Sequence, residues 1–152
     1  MKKFLVTLFI RQNKHHKHSV LVHTLIVFWY TLISLKIKFC MAALLHDIGK
    51  PFVATLKKDG YNYSFTNHEE KSYQIIKNWE FISEYTKDLV RYHYLRRRMA
   101  KDEIKLKEGR NSSNGDLITK ESVNKLIETY NSLDIEFQKD LRLFQVLDDK
   151  AK

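Results

Sequence analysis

One cysteine, one proline and four glycines in 152 residues exclude several architectures before any motif is read. A single cysteine, Cys40, cannot close an internal disulfide, so a disulfide-stapled secreted scaffold is excluded. It lies inside an apolar stretch and reads as a core thiol. So little proline and glycine leaves long helices uninterrupted, whereas a β-sandwich or barrel would need more turn residues. Acidic side chains are also few: 18 Asp and Glu against 27 Lys and Arg give a net charge of +9. Such a chain attracts polyanions, nucleic acid and nucleotides among them, or simply carries a solvated basic surface.

What is present is a folded composition, 43% hydrophobic and 30% charged. The length suits one domain with one core, 1–152. Met1–Ile10 has lysines ahead of an apolar run, but no small-residue cleavage site follows, so it reads as a first structural element over 4–10. Val20–Ile37 is nearly long enough to span a bilayer. His23, Lys36 and several Ser and Thr within it favour a buried core helix, and no membrane partner is expected. The chain is expected in the cytoplasm; homodimerisation is left open.

Periodicity predicts a long helix over 17–37 and a second over 39–49, closed by Gly49 as a left-handed cap and by Pro51. Val53–Leu56 and Tyr61–Phe65 flank an Asp-Gly turn and read as a β-hairpin. Asn67 is placed as the N-cap of a helix to about Trp79, and Ser83 as the cap of another to about Met99. A Gly-, Ser- and Asn-rich segment is expected as a mobile loop around 106–118. Helices at about 120–132 and 134–150, the latter capped by Asp134, complete an all-α bundle of about six helices with one small β-hairpin. There is no internal repeat.

His46 and Asp47 stand at the end of the apolar segment Met41-Ala42-Ala43-Leu44-Leu45. An imidazole and a carboxylate are costly to bury unless something compensates. A divalent metal would do so, as would a His–Asp pair capping the helix end. His23, His68, His93 and Asp148-Asp149 lie at element ends or on apolar faces, where a helical bundle can bring side chains around one ion.

Ala42-Ala43-Leu44-Leu45-His46-Asp47-Ile48-Gly49-Lys50-Pro51 resembles the signature of the HD-domain superfamily. Upstream, residues 13–24, ending in His23-Thr24, resemble the first histidine motif of that family. Phe65-Thr66-Asn67-His68-Glu69-Glu70-Lys71-Ser72 resembles the Gly-His-Glu-Glu-x-Ser motif of HD domains attached to tRNA nucleotidyltransferases, with Asn67 in place of the glycine. Leu147-Asp148-Asp149-Lys150-Ala151 resembles the closing Ala-Asp-Lys-Ala. The likeness covers roughly 12–151, and no nucleotidyltransferase domain accompanies it.

The resemblance implies a metal-dependent phosphohydrolase acting on a nucleotide, cyclic nucleotide or RNA-terminal phosphate. The alternative is a catalytically silent HD domain that binds a nucleotide, RNA or protein partner. It implies His23, His46, Asp47 and Asp149 as metal ligands, Asp149 being chosen over Asp148 because it precedes Lys-Ala. His68 and His93 match the extra histidines of members with two ions, bridged by the residue matching Asp47. The cofactor would be one or two divalent ions: Mn²⁺, Mg²⁺, Co²⁺, Ni²⁺ or Fe²⁺. Asp47 and Lys50 are the candidate catalytic residues, Lys50 stabilising phosphoryl charge or else interacting with a helix dipole. His16, two helical turns before His23, and Arg96 and Arg97 in the basic run 96–98 are candidate substrate contacts. Each reads equally as a polar surface residue.

Overall fold

Ser19 caps the long helix expected over 17–37 instead of lying inside it. In the computed structural model its backbone is extended, and its hydroxyl accepts a hydrogen bond from the Val22 amide at 3.3 Å. Helix starts leave such amides without partners, and a serine there supplies one. Helix α1 therefore runs Val20–Ile33. The residues before it form a short antiparallel ladder, β1 (Arg11–Asn13) with β2 (His16–Ser19), which periodicity did not anticipate. His16 is thus on a strand, and the helical spacing that would align it with His23 does not exist. The structure describes residues 9, 11–13, 16–57, 59–111 and 117–152. The element expected at 4–10 falls outside them apart from Phe9, as does 112–116, the centre of the loop expected around 106–118.

Only one face of α1 is buried: Val20, His23, Val27 and Thr31. Val22, Leu25, Trp29 and Ile33 are exposed, so the core helix expected here is a core helix on one side only. No helix among the described residues is long and apolar enough to cross a membrane. Leu35 takes a positive φ of 55° and ends the segment, and a 3-10 turn, Ile37–Phe39, leads into α2 (Cys40–Leu45), which packs on α1.

The second expected helix is divided. A turn over 46–49 separates α2 from α3 (Lys50–Val53), and Pro51 sits in the first turn of α3, where its missing N–H costs nothing. Gly49 is not a left-handed cap; its φ is −77°. Space is what demands glycine: a Cβ there would lie 2.5 Å from the His68 carbonyl oxygen and 2.5 Å from the Ser72 amide nitrogen. The Ser72 hydroxyl completes the joint, accepting from the Gly49 amide at 2.9 Å and donating to the His46 carbonyl at 2.7 Å. Gly49→Ala is expected to cost about 2–3 kcal/mol in urea unfolding, because both clashing atoms are backbone.

The hairpin pairs β3 (Thr55–Leu56) with β4 (Tyr63–Ser64), and Asp59 accepts the Tyr61 and Asn62 amides in its turn. Helix α4 (His68–Ile76) follows Asn67, whose φ is 60° and whose side chain caps nothing on the helix. Its Oδ1 accepts from Arg98 Nη1 at 3.2 Å instead. A left-handed backbone is the reason glycine suits this position in the resembling motif, and asparagine is the side chain that best tolerates it. Asn67→Ala should lose about 1 kcal/mol of stability in urea unfolding, and Asn67→Gly should lose less.

Ser83 caps α5 (Glu84–Tyr92), which breaks at His93 before α6 (Leu95–Lys107); one helix to Met99 was expected. Helix α7 (Lys120–Asn131) opens with a Thr119–Ser122 capping box, and α8 (Ile135–Lys150) with Asp134 accepting two amides. Among the described residues, six helices of nine residues or more, with the hairpin after the motif, make the all-α bundle expected. Its core joins Val27, Phe39, Ala43, Ile76, Leu89 and Phe144.

Candidate metal centre

Four histidines converge on one buried place, each delivered by an element end or a buried face. His23 comes from the buried stripe of α1, His46 closes α2, His68 opens α4 and His93 closes α5. Each ring places Nδ1 against a backbone carbonyl. His46 meets Ala43 at 2.8 Å, His68 meets Phe65 at 2.8 Å, His93 meets Val90 at 2.6 Å and His23 meets Ala151 at 3.2 Å. A carbonyl only accepts, so Nδ1 carries the hydrogen, and in a neutral ring Nε2 keeps its lone pair. Backbone contacts of this kind fix the tautomer that a metal ligand needs.

The Nε2 atoms face Asp47. His46 Nε2 lies 3.2 Å and His23 Nε2 3.5 Å from Asp47 Oδ2, while His68 Nε2 lies 3.5 Å from Asp47 Oδ1. Two triads result, His23–His46–Asp47 and Asp47–His68–His93, each with ligand atoms within 4.8 Å of one another. Asp47 belongs to both, presenting one oxygen to each side. His46 Nε2 and both Asp47 oxygens are sealed from solvent without a hydrogen bond of good geometry. Lys50 Nζ lies 2.6 Å from Asp47 Oδ2, an ion pair by distance. Leaving such atoms unbonded costs about 1–3 kcal/mol each, and imidazole and carboxylate are the donors a divalent cation takes.

Burial alone would discharge these groups, and their neighbours decide which stay charged. Burial opposes the His46 charge, yet the Asp47 and Asp148 carboxylates beside it overcome that and push its pKa up to about 9. Burial likewise works against the Asp47 carboxylate, but His46 and Lys50 hold it well below the usual range. His68 is pushed down to about 4 by burial, and His93 is lowered by burial and by the charge on His46. Between pH 6.5 and 9, therefore, His46 holds a proton that a metal must displace while His68 and His93 are already neutral. For metal-stripped protein, affinity for a divalent ion at the His23–His46–Asp47 triad should rise about tenfold per pH unit up to about 9 and then level off. Calorimetry in buffers of different ionisation enthalpy checks this, because binding should release one proton at pH 7.

Asp148, not the Asp149 expected from motif order, is the carboxylate of the last helix that faces the histidines. Asp148 is buried, with Oδ1 2.8 Å from His23 Nε2 and 3.7 Å from His46 Nε2. The Asp149 side chain turns outward, 47% exposed, and pairs with Arg97 and Lys152. Adjacent helical residues point about 100° apart, so Asp148 and Asp149 take different directions, and here Asp148 takes the inward one. Leu141, Phe144 and Asp148 repeat at helical spacing on the buried face of α8, and that periodicity carried the signal.

The family model of the HD domain matches residues 13–122. The chain belongs to the HD-domain family. Comparisons with curated proteins and with solved structures found no match. The matched stretch holds His23, His46, Asp47, His68 and His93, while Asp148 lies beyond it and is added by the geometry. HD domains bind divalent metals, and the buried His/Asp clusters of this one could hold such an ion.

The His/Asp cluster of this HD domain opens into a cavity of about 520 Å³ between the hairpin side and α6. Asp47, His68, His93 and Asp148 form part of its wall, and Lys50, Arg97 and Arg98 line it too. Arg97 donates to Asp148 Oδ2 and to Asp149 Oδ1, both at 2.5 Å, so it braces the inward carboxylate from the cavity side. Arg96 is not among the lining residues; its Nη1 donates to Gln145 at 3.3 Å. Of the basic run, then, Arg97 and Arg98 reach the cavity, and Tyr94 is a lining residue that the sequence alone did not single out as a site residue.

Proposed function

We propose that this HD domain is a metal-dependent phosphohydrolase that opens a phosphomonoester or phosphodiester of a nucleotide, cyclic nucleotide or RNA end. The observation that carries this reading is the pair of buried triads sharing Asp47, with the Nδ1 of every histidine set on a backbone carbonyl, at the floor of a cationic cavity. His23, His46, Asp47 and Asp148 would hold one ion, and Asp47, His68 and His93 a second. A divalent ion so held neutralises phosphoryl oxygens and brings the pKa of its water towards 7.

The chain's own residues do the rest. Lys50 and Arg97 place positive charge where phosphate oxygens would lie, and Arg97 also keeps Asp148 aimed inward. Burial keeps His68 and His93 neutral, as ligands must be. The likeness of the Asn67-His68-Glu69-Glu70 segment to HD domains attached to tRNA nucleotidyltransferases directs attention to 2′-phosphate and 2′,3′-cyclic phosphate ends. A single cysteine accords with a cytoplasmic setting.

The test is product release from nucleoside mono- and triphosphates, cyclic nucleotides and RNA ends bearing a 2′,3′-cyclic phosphate, with Mn²⁺, Mg²⁺, Co²⁺ or Ni²⁺ supplied. Turnover that needs the metal supports the reading. Metal-dependent binding of these compounds without turnover would instead make the protein a silent binding domain.

A further inference from the structure

We infer that the cavity continues as a groove for a single-stranded polynucleotide, with the phosphate to be attacked at its inner end. The inference rests on the hydrolase reading above and narrows its substrate from nucleotides in general to the end of a strand.

One phosphate at the metal centre is served by Lys50 and Arg97. Cations continue well past that point. Arg97, Lys101 and Lys105 follow one another at four-residue intervals on α6, and all three line the cavity. At about 1.5 Å of rise per residue, Lys101 and Lys105 lie about 6 and 12 Å beyond Arg97 along the helix. A single phosphate gives them nothing to bind, whereas a strand carries one charge per about 3.4 Å when stacked. Leu95, in the first turn, is the only buried residue described in α6, so the basic face is not committed to the core. Asp102 lies 3.7 Å from Lys105 and 3.8 Å from Arg98, and Asp148 pairs with Arg97, yet seven Lys and Arg line the cavity among the described residues against four Asp and Glu, so its lining stays positive.

Aromatic rings accompany the cations. Tyr94 stands at the inner end, its ring 5.2 Å from that of His68 and 4.9 Å from Lys101 Nζ. Tyr63 and Phe65, stacked at 6.3 Å, belong to the hairpin side of the same cavity. A cationic track beside ring faces is the arrangement that binds single strands with little regard to sequence, the phosphates meeting Lys and Arg and the bases stacking.

The test is fluorescence anisotropy with labelled hexauridylate, labelled hexathymidylate and, by competition, uridine monophosphate, at 50–200 mM KCl. Wild type is compared with Lys101→Glu/Lys105→Glu and with the neutral Lys101→Gln/Lys105→Gln, and circular dichroism confirms that each is folded. The hexamers should bind at least tenfold more tightly than the monophosphate, with a log–log salt slope near −2 for about three phosphates. The double Glu variant should weaken hexamer binding at least tenfold and flatten the slope by about 1.4, with the Gln variant between. Equal binding of the two hexamers assigns recognition to the backbone and bases, and preference for hexauridylate adds the 2′-hydroxyl; both fit the groove. Hexamers that bind no better than the monophosphate, or a Glu variant with wild-type affinity and slope, would overturn it. Continued metal-dependent hydrolysis of a monophosphate in that case would leave the hydrolase reading standing. Hexamer binding as expected, without hydrolysis of any phosphate ester, would instead remove the hydrolase and keep the groove.

Discussion

Asp47→Ala protein is expected to remain helical and to lose at least a thousandfold in phosphate-ester hydrolysis, about 4 kcal/mol of transition-state stabilisation. The size follows from position. Asp47 is the one residue common to both triads; its Oδ2 faces His23 and His46 and its Oδ1 faces His68. Removing it would take a ligand from both proposed ions at once and leave the Lys50 ammonium without the carboxylate 2.6 Å away. The helical fold should survive because the hydrophobic core, with Val27, Phe39, Ile76 and Phe144 at its centre, does not include Asp47. Elemental analysis after dialysis, circular dichroism and turnover on the same preparation check the three parts together. A metal-loaded, active Asp47→Ala protein would dismiss the site.

Asp148→Ala should weaken metal affinity at least a hundredfold, and Asp149→Ala only a fewfold. Asp148 brings a buried carboxylate within 2.8 Å of His23, whereas Asp149 acts at one remove, through Arg97. Losing Asp149 frees one arm of the Arg97 clamp while the other remains on Asp148. Losing Asp148 would remove a proposed ligand and leave Arg97 and His46 facing a gap where a counter-charge was. Metal titration of the two variants, followed by calorimetry at one pH, ranks them. The opposite order would mean that the last turn of α8 presents its other face to the metal.

The contrast between these two aspartates marks how far the sequence could be read. Histidines and an aspartate at the ends of apolar segments were legible because buried polar groups need a reason, and His23, His46, Asp47, His68 and His93 meet in the structure. Motif order placed the closing carboxylate at 149, but helix phase decides which side chain turns inward, and the phase of α8 is set by Leu141 and Phe144. The same lesson holds at Gly49: a glycine followed by proline reads as a helix stop, and what it serves is a backbone contact with α4, distant in sequence. The helix break at His93 has no proline or glycine to announce it. The His93 ring at that break sits beside His46 and His68, whose centroids each lie 5.2 Å away. The strand at 16–19 escaped notice because Val20 to Thr31 alone carry the helical stripe, and extending it backwards through Ser19 overlooked a good cap.

Phosphate release from metal-stripped protein, measured as Mn²⁺ is added back in known equivalents, tests the central claim most directly. The account predicts no release without metal, recovery as ions are bound and no recovery in Asp47→Ala. Release that proceeds at full rate in the stripped protein, or that Mn²⁺ restores equally in Asp47→Ala, would contradict it.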